Sequence, residues 1–239
     1  PDGRHWGRAG HIELNDIVAS CAYLCDDTQS FIAAPLSANV TSTLPGQGWG
    51  VIGSFGVGQT VALQFGVTDG NGDGNLNTDR AVQSDELAYA ASVVIDDPFR
   101  SLGSGKLRLS YYRVDRTETF GAGSDSFAVN YDQDLGDLAI AARYAQTDGR
   151  LGTAKRTAAL AGLWTRPFGH ETDVWGLGFA FVDPSGADTD REYVAETYYR
   201  VQLTPLSQLT AGVMLVTRPN APGDTSNEAV LNLRWRIAL

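Results

Sequence analysis

The side chains best able to bind a polar solute recur at every second position of the chain. Glu196, Tyr198, Arg200 and Gln202 form one such series. A guanidinium group donates paired hydrogen bonds, a carboxylate or amide oxygen accepts them, and a tyrosine ring packs against C–H groups. This combination suits neutral polyols, and the spacing places all four side chains on one face of a β-strand.

Residues of the same kinds alternate with apolar residues in other segments of the chain. The complete predicted set comprises Gln64, Arg108, Tyr112, Asn130, Arg143, Glu196, Tyr198, Arg200, Gln202, Arg234 and Arg236. We expect these residues to line a water-filled interior, separated by many small residues that keep it wide. The arginines have a structural alternative, in which they pair with carboxylates and hold the wall together. For Glu196 and Arg200, a mutual salt bridge is the alternative to a constriction.

The elements that position these side chains are alternating segments of about ten residues. In the last segment, Leu231, Leu233 and Trp235 alternate with Asn232 and Arg234. One face of such a strand suits lipid and the other suits water. The segments have the nine to eleven residues, roughly, that a tilted strand needs to cross a bilayer, and no run approaches the ~18 apolar residues of a transmembrane helix. The pattern predicts an all-β fold, a transmembrane antiparallel β-barrel.

We predict about twelve strands in a single β-barrel domain over residues 1–239. The strands are placed near residues 4–14, 47–55, 59–68, 85–95, 105–115, 122–132, 136–146, 154–166, 170–182, 193–204, 207–217 and 228–239. Tight turns at 56–58, 133–135, 167–168 and 205–206 alternate with longer connections at 15–46, 69–84, 147–153, 183–192 and 218–227. Short periplasmic turns and longer external loops are typical of outer-membrane barrels.

The connection at 15–46 is far longer than the others. Asn15 is expected to cap a short helix that runs through Leu24, after which Pro35 and Ser37 are expected in loop. A connection of this length is usually functional, so we expect it to fold into the pore as a constriction or to cover its mouth. A mobile surface loop is the alternative.

Several segments resemble the carbohydrate-selective porins of the OprB type. They are residues 12–16, 31–32, 46–50, 62–70, 196–205, 218–220 and 230–234. The resemblance implies a bacterial outer-membrane channel for mono- and oligosaccharides, built on a sixteen-stranded barrel. This architecture is compatible with a homo-trimer. The family's first strands have no counterpart here. We favour the C-terminal portion of a larger barrel over a smaller closed one, because an open edge in lipid leaves backbone groups unpaired.

An acidic, glycine-rich segment resembles the first half of a calcium loop. Asp69, Asn71, Asp73 and Asn75 supply oxygen ligands at alternate positions, but Arg80 stands where the bidentate Glu is expected. We therefore favour a polar turn over a structural calcium site, and expect no other cofactor.

Two cysteines and the net charge bear on the compartment and the partners. Cys21 and Cys25 lie four residues apart and would form a disulfide in an oxidising compartment. The chain has 18 basic and 28 acidic residues, a net charge of −10, which argues against nucleic acid as a partner. The expected partners are sugars, outer-membrane lipid and either further copies of the chain or another envelope protein.

Motifs for catalysis are weak, and we predict that the chain is not an enzyme. His170 and Asp173 are the nearest approach to an acid–base pair, and they favour only a minor alternative, a barrel hydrolase. A barrel plugged by the 15–46 connection, with a structural or interaction role, is the other alternative. Outward aromatics are expected to form interfacial girdles, namely Trp164, Trp175, Phe179, Phe181, Tyr199 and Trp235.

Overall fold

In the part of the chain that the structure describes, twelve strands form one antiparallel sheet in which each strand pairs with the next along the chain. The computed structural model describes residues 4–18, 30–38, 41, 44–72, 85–117, 121–148, 150, 154–186, 190–217 and 226–237. The strands are β1 (Trp6–Ile12), β2 (Gly48–Val57), β3 (Val61–Asp69), β4 (Leu87–Asp96), β5 (Gly105–Val114), β6 (Ser124–Asp134), β7 (Leu138–Thr147), β8 (Ala154–Thr165), β9 (Val174–Pro184), β10 (Glu192–Thr204), β11 (Ser207–Thr217) and β12 (Glu228–Ile237). The predicted all-β, antiparallel architecture is confirmed.

Among the described residues, two short helices lie between β1 and β2, and two single turns of 3₁₀-helix lie in other connections. The helices are α1 (Asn15–Val18) and α2 (Ala34–Ser37), and the 3₁₀ turns are Arg100–Leu102 and Pro167–Gly169. No helix in the described part of the chain is long and apolar enough to cross a membrane.

The two faces of the sheet differ as the alternating sequence requires. In β9, Trp175, Leu177 and Phe179 are exposed, whereas the intervening Gly176 and Gly178 are buried. Successive side chains of a strand point to opposite faces, so every large apolar residue of this segment lies on one side. We call the exposed side the outer face and the other side the inner face.

Several boundaries differ from the predicted ones. β2 continues through Val57 and β6 through Asp134, so residues 56, 57, 133 and 134 belong to strands and not to turns. β9 begins at Val174 instead of 170, because Pro167–Gly169 forms a 3₁₀ turn in which Phe168 has a left-handed φ of 58°. Residues 167 and 168 therefore belong to a longer connection than the expected two-residue turn.

The connection between β1 and β2 lies against the inner face at two separate places. α1 contacts β3, β4 and β5, whereas α2 contacts β8 and β9. The α1 segment buries Leu14 and Ile17 against Ile52 and Tyr112. The described parts of this connection therefore pack on the inner wall.

The α2 segment forms the second apolar cluster of the inner face. It buries Phe31 and Leu36 completely, against Leu163 and Tyr198 among others. The expectation that residues around Pro35 form loop is wrong, because Pro35 lies in the first turn of α2, where the missing N–H of proline removes no helical hydrogen bond.

The predicted helix from Asn15 to Leu24 begins at Asn15, as expected. Its residues beyond Val18 lie outside the described part of the chain, as do Cys21 and Cys25. The disulfide between these two cysteines stays a prediction.

Candidate functional site

All of the predicted solute-binding residues lie in strands, on the inner face of the sheet. They differ in how much of each side chain is covered. We call the covered wall the group on β3, β5, β6, β7, β10 and β12 that is buried or bonded to a buried partner: Gln64, Arg108, Tyr112, Asn130, Arg143, Glu196, Tyr198 and Arg234. We call the open wall the half-buried group Arg200, Gln202 and Arg236, on β10 and β12.

Glu196 is the centre of the contact between the wall and the connection. Its side chain is only 1% exposed. One carboxylate oxygen accepts the backbone N–H of Ile32 at 2.9 Å, and the other accepts those of Ile32 at 3.1 Å and Ala33 at 2.8 Å. A buried carboxylate that accepts several backbone N–H bonds fixes the segment that donates them.

Tyr198 and Arg234 extend this contact on either side of Glu196. The ring of Tyr198 meets that of Phe31 edge-on, with a centroid distance of 5.1 Å. Arg234 donates to the carbonyl oxygen of Ser30 at 2.7 Å, and its guanidinium carbon lies 5.8 Å from the Tyr198 centroid. We call this group, which holds residues 30–33, the second anchor.

A different set of side chains holds the α1 segment, and we call it the first anchor. The guanidinium of Arg108 donates to the carbonyl oxygen of Ile17 at 2.5 Å and to Oε1 of Gln64 at 2.8 Å. The hydroxyl of Ser92 donates to the same carbonyl at 3.4 Å and bonds Ser110 at 2.7 Å. A buried arginine satisfies a helix-end carbonyl here, which ties α1 to β5.

Tyr112 adds a contact further along the same connection. Its hydroxyl lies 3.5 Å from the hydroxyl of Thr41, and both side chains are buried. Tyr112 and Tyr198 were the two inward aromatics expected to offer a face to a sugar. Both rings are 2% exposed, so they pack within the wall.

Arg143 and Asn130 form a buried pair between β6 and β7. Nε of Arg143 donates to Oδ1 of Asn130 at 3.0 Å. The buried Asp132 interacts electrostatically with both Arg143 and Arg108. Sequence reasoning missed Asp132, although it follows Asn130 by two residues on the same strand and therefore shares its face.

Small residues of the inner wall make room for the connection. A Cβ atom at Gly178 would lie 2.9 Å from atoms of both Leu36 and Phe31. A Cβ atom at Gly66 would lie 2.8 Å from atoms of Ile17 and Leu14. The expectation that such residues keep a channel wide is wrong at these two places, where they seat the connection.

The open wall has a different environment. Gln202 accepts a hydrogen bond from Gln208 at 2.7 Å and donates to the carbonyl oxygen of Ser207 at 3.3 Å. Both partners lie on the neighbouring strand β11. Arg200 and Arg236 are half-buried on the same face.

The candidate calcium segment is only partly described. Oδ1 of Asp69 accepts the backbone N–H of Asn71 at 3.0 Å, and the side chain of Asn71 bonds Glu86. Asp73 and Asn75 lie outside the described residues. Among the residues that the structure describes, no cluster of three or more His, Cys, Asp or Glu could hold a metal ion. Calcium stays a prediction.

In the candidate acid–base pair, the side chain of Asp173 makes hydrogen bonds to β10. The carboxylate of Asp173 accepts the hydroxyl of Tyr199 at 2.8 Å and the backbone N–H of Gln202 at 3.4 Å. Asp173 is buried and His170 is exposed. The role that these contacts support is to tie the β8–β9 connection to β10.

A family model shows where this architecture belongs. The model, described as carbohydrate-selective porin, OprB family, matches residues 7–239. The chain belongs to the OprB family. The chain also resembles the high-pH structure of OprB from Pseudomonas putida, with a TM-score of 0.75 and 14% sequence identity over 99% of this chain and 70% of that one. At this identity, the likeness shows the fold. No curated protein matches the chain.

Proposed function

We propose that this OprB-family chain forms a passive carbohydrate channel in the bacterial outer membrane, and that its β1–β2 connection narrows the bore. Family membership supports the carbohydrate class of the solute. Two anchors fix a long connection onto the inner wall, whereas the open wall is only half-buried. This contrast supports a constriction at the anchors and a solute path along the open wall.

The contact between connection and wall is the observation that carries the proposal. Glu196 binds two consecutive backbone N–H groups, and Arg108 binds a carbonyl oxygen on the other side of the connection. Polar groups used in this way are not free to bind a solute. They instead hold the connection at a fixed place in the lumen, which sets the size of solute that passes.

The open wall supplies the groups for the solute itself. Arg200 and Arg236 would donate hydrogen bonds to sugar hydroxyls, and Gln202 would both donate and accept. A guanidinium that makes such contacts in water gains little net free energy from each. Weak, repeated contacts allow a neutral sugar to pass along the wall without being trapped.

A plugged barrel with a structural or interaction role is the second candidate. The observation that favours it is the pair of apolar clusters, which bury Leu14, Ile17, Phe31 and Leu36 on the inner face. Packing of this kind suits a plug as well as a constriction. A homo-trimer or a contact with another envelope protein stays a prediction in either case.

Single-channel recording in planar bilayers separates the two candidates. We expect stable conductance that falls as mono- and disaccharides are added to either chamber. Arg200→Ala should weaken the block by sugars, whereas the control Arg113→Ala should not, because Arg113 is exposed on the outer face beside Asp115 and Asp125. A folded protein without conductance would favour the plugged barrel, and conductance indifferent to every sugar would contradict the carbohydrate proposal.

A further inference from the structure

The outer face of β7, β8 and β9 contains an apolar groove beside the short connections. A cavity of about 630 Å³ is lined by Leu138, Gly162, Trp164, Trp175 and Leu177, with Asp137 at its rim. The aromatic and aliphatic side chains are exposed on the face that an OprB-family barrel turns toward lipid. We call this feature the outer groove.

Gly162 is the reason that the outer groove exists. In the register of the sheet it lies between Ile140 on β7 and Leu177 on β9, at an outward position where neighbouring residues are large. A Cβ atom at Gly162 would meet only Leu138, at 3.9 Å. The missing side chain therefore leaves a depression in an otherwise filled apolar surface.

Two charges stand at the end of the groove nearest the short connections. Arg166 forms an ion pair with Asp137, and their side chains are 56% and 50% exposed. Arg166 has a left-handed φ of 60°, a conformation that is strained for a residue with a side chain. Its backbone N–H donates to the carbonyl oxygen of Asp173 at 3.1 Å, so the turn holds this conformation in place.

A cluster of aromatic side chains lies close to the Arg166–Asp137 pair. The ring of Phe168 lies 5.5 Å from that of Trp164 and 6.3 Å from that of Tyr199, and Trp164 lies 6.1 Å from Trp175. Aromatic residues of membrane proteins concentrate at the level of the lipid head groups. The groove thus runs from this level toward the hydrocarbon, with both charges beside its start.

We propose that the outer groove binds one acyl chain of a phospholipid, with Arg166 contacting the phosphate and Asp137 contacting a cationic amine of the head group. The inference rests on the proposed membrane placement and is independent of sugar transport. The depression at Gly162 accepts a linear hydrocarbon, and the Arg166–Asp137 pair offers one charge of each sign to a zwitterionic head group.

Native mass spectrometry of the full chain tests the acyl-chain contact. The protein is purified in detergent, and phosphatidylethanolamine is titrated against it. We expect one lipid to be retained by the wild type. Gly162→Leu should reduce retention roughly tenfold, the change expected when contacts equal to about two methylene groups are lost. The matched control is Ala158→Leu, which places the same side chain on the outer face of β8 away from the groove.

A second pair of variants tests the head-group contact and does not depend on the first. Arg166→Gln should remove the preference for phosphatidylethanolamine over diacylglycerol with the same chains. Arg156→Gln should retain the preference, because the Arg156–Asp183 pair lies at the end of β8 and β9 that is far from the outer groove. The shift of the folded barrel on unheated gels checks that each variant is folded.

Two results would overturn the proposal. One is equal lipid retention by the wild type, Gly162→Leu and Arg166→Gln. The other is an oligomer without bound lipid that Gly162→Leu dissociates, which would assign the groove to a second copy of the chain. Conductance recorded on the same preparations separates these results from a failure of the channel proposal, since no groove residue lies on the inner face.

Discussion

The covered wall and the open wall carry the same kinds of residue, yet the fold uses them differently. On the covered wall, Glu196 and Arg108 bind backbone groups of the β1–β2 connection. On the open wall, Arg200 and Arg236 lie half-buried along the inner face. An inward position and a polar side chain therefore do not by themselves define a solute contact. What lies over the side chain decides its role.

The energetic consequence of this division is large. Phe31 and Leu36 of the connection are fully buried against the wall, and burial of such side chains stabilises by about 2 kcal/mol each. The open wall has no comparable apolar cover among the described residues. Substitutions on the covered wall should therefore alter stability and pore width together, whereas those on the open wall should alter solute passage alone.

The largest effect is expected from Glu196→Ala. The substitution leaves the backbone N–H groups of Ile32 and Ala33 without their charged acceptor and should lower the free energy of unfolding by about 3 kcal/mol. Release of the connection should also raise single-channel conductance. Urea unfolding in detergent, followed by tryptophan fluorescence, measures the first effect.

A conservative variant and a control variant show whether the carboxylate of Glu196 causes this effect. Glu196→Gln keeps an acceptor oxygen and the side-chain shape, so its loss of stability should be smaller. Glu171→Ala, an exposed carboxylate in the β8–β9 connection, should change neither quantity. A stable Glu196→Ala protein of unaltered conductance would show that the second anchor does not hold the connection.

Arg108→Ala tests the first anchor and should have the next largest effect. It removes the donor to the carbonyl oxygen of Ile17 and leaves Gln64 without this partner. We expect the free energy of unfolding to fall by about 2 kcal/mol. Hydrogen exchange of the α1 segment should accelerate while that of residues 30–33 is retained, and acceleration of both segments together would contradict the separation into two anchors.

Gly178→Val tests the space that the wall leaves for α2. The added side chain would overlap Leu36 and Phe31, which should cost about 1.5 kcal/mol. Ala158→Val adds a β-branched residue to the outer face of a neighbouring strand and is the matched control. Equal unfolding midpoints for the two variants would contradict close packing of α2 on β9.

The alternation of residue types was sufficient to predict the strands and their faces. Trp175, Leu177 and Phe179 could be assigned to the outer face because a strand has only two faces and a period of two. The family could also be recognised from motifs such as residues 62–70. Local patterns of this kind need no knowledge of the tertiary structure.

The contacts between the β1–β2 connection and the covered wall could not be predicted from such patterns. Glu196 and Ile32 are 164 residues apart, and nothing in the sequence near either one indicates that a carboxylate meets a backbone N–H group. Gly178 and the inward alanines of β7 and β8 have the composition of a wide channel, whereas the structure packs Phe31 and Leu36 against them. Long-range contacts of a connection without regular periodicity leave no local signal.

The smallest change in stability is expected from Arg236→Ala on the open wall. Because this side chain is only half-buried, its removal should alter the free energy of unfolding by less than about 0.5 kcal/mol. The same change removes a positive charge from the proposed solute path, so the channel should become less selective for anions. The reversal potential under a potassium chloride gradient measures this shift, with Arg113→Ala as the control on the outer face. A loss of stability as large as that of Glu196→Ala would place Arg236 among the anchors and remove the distinction between the two walls.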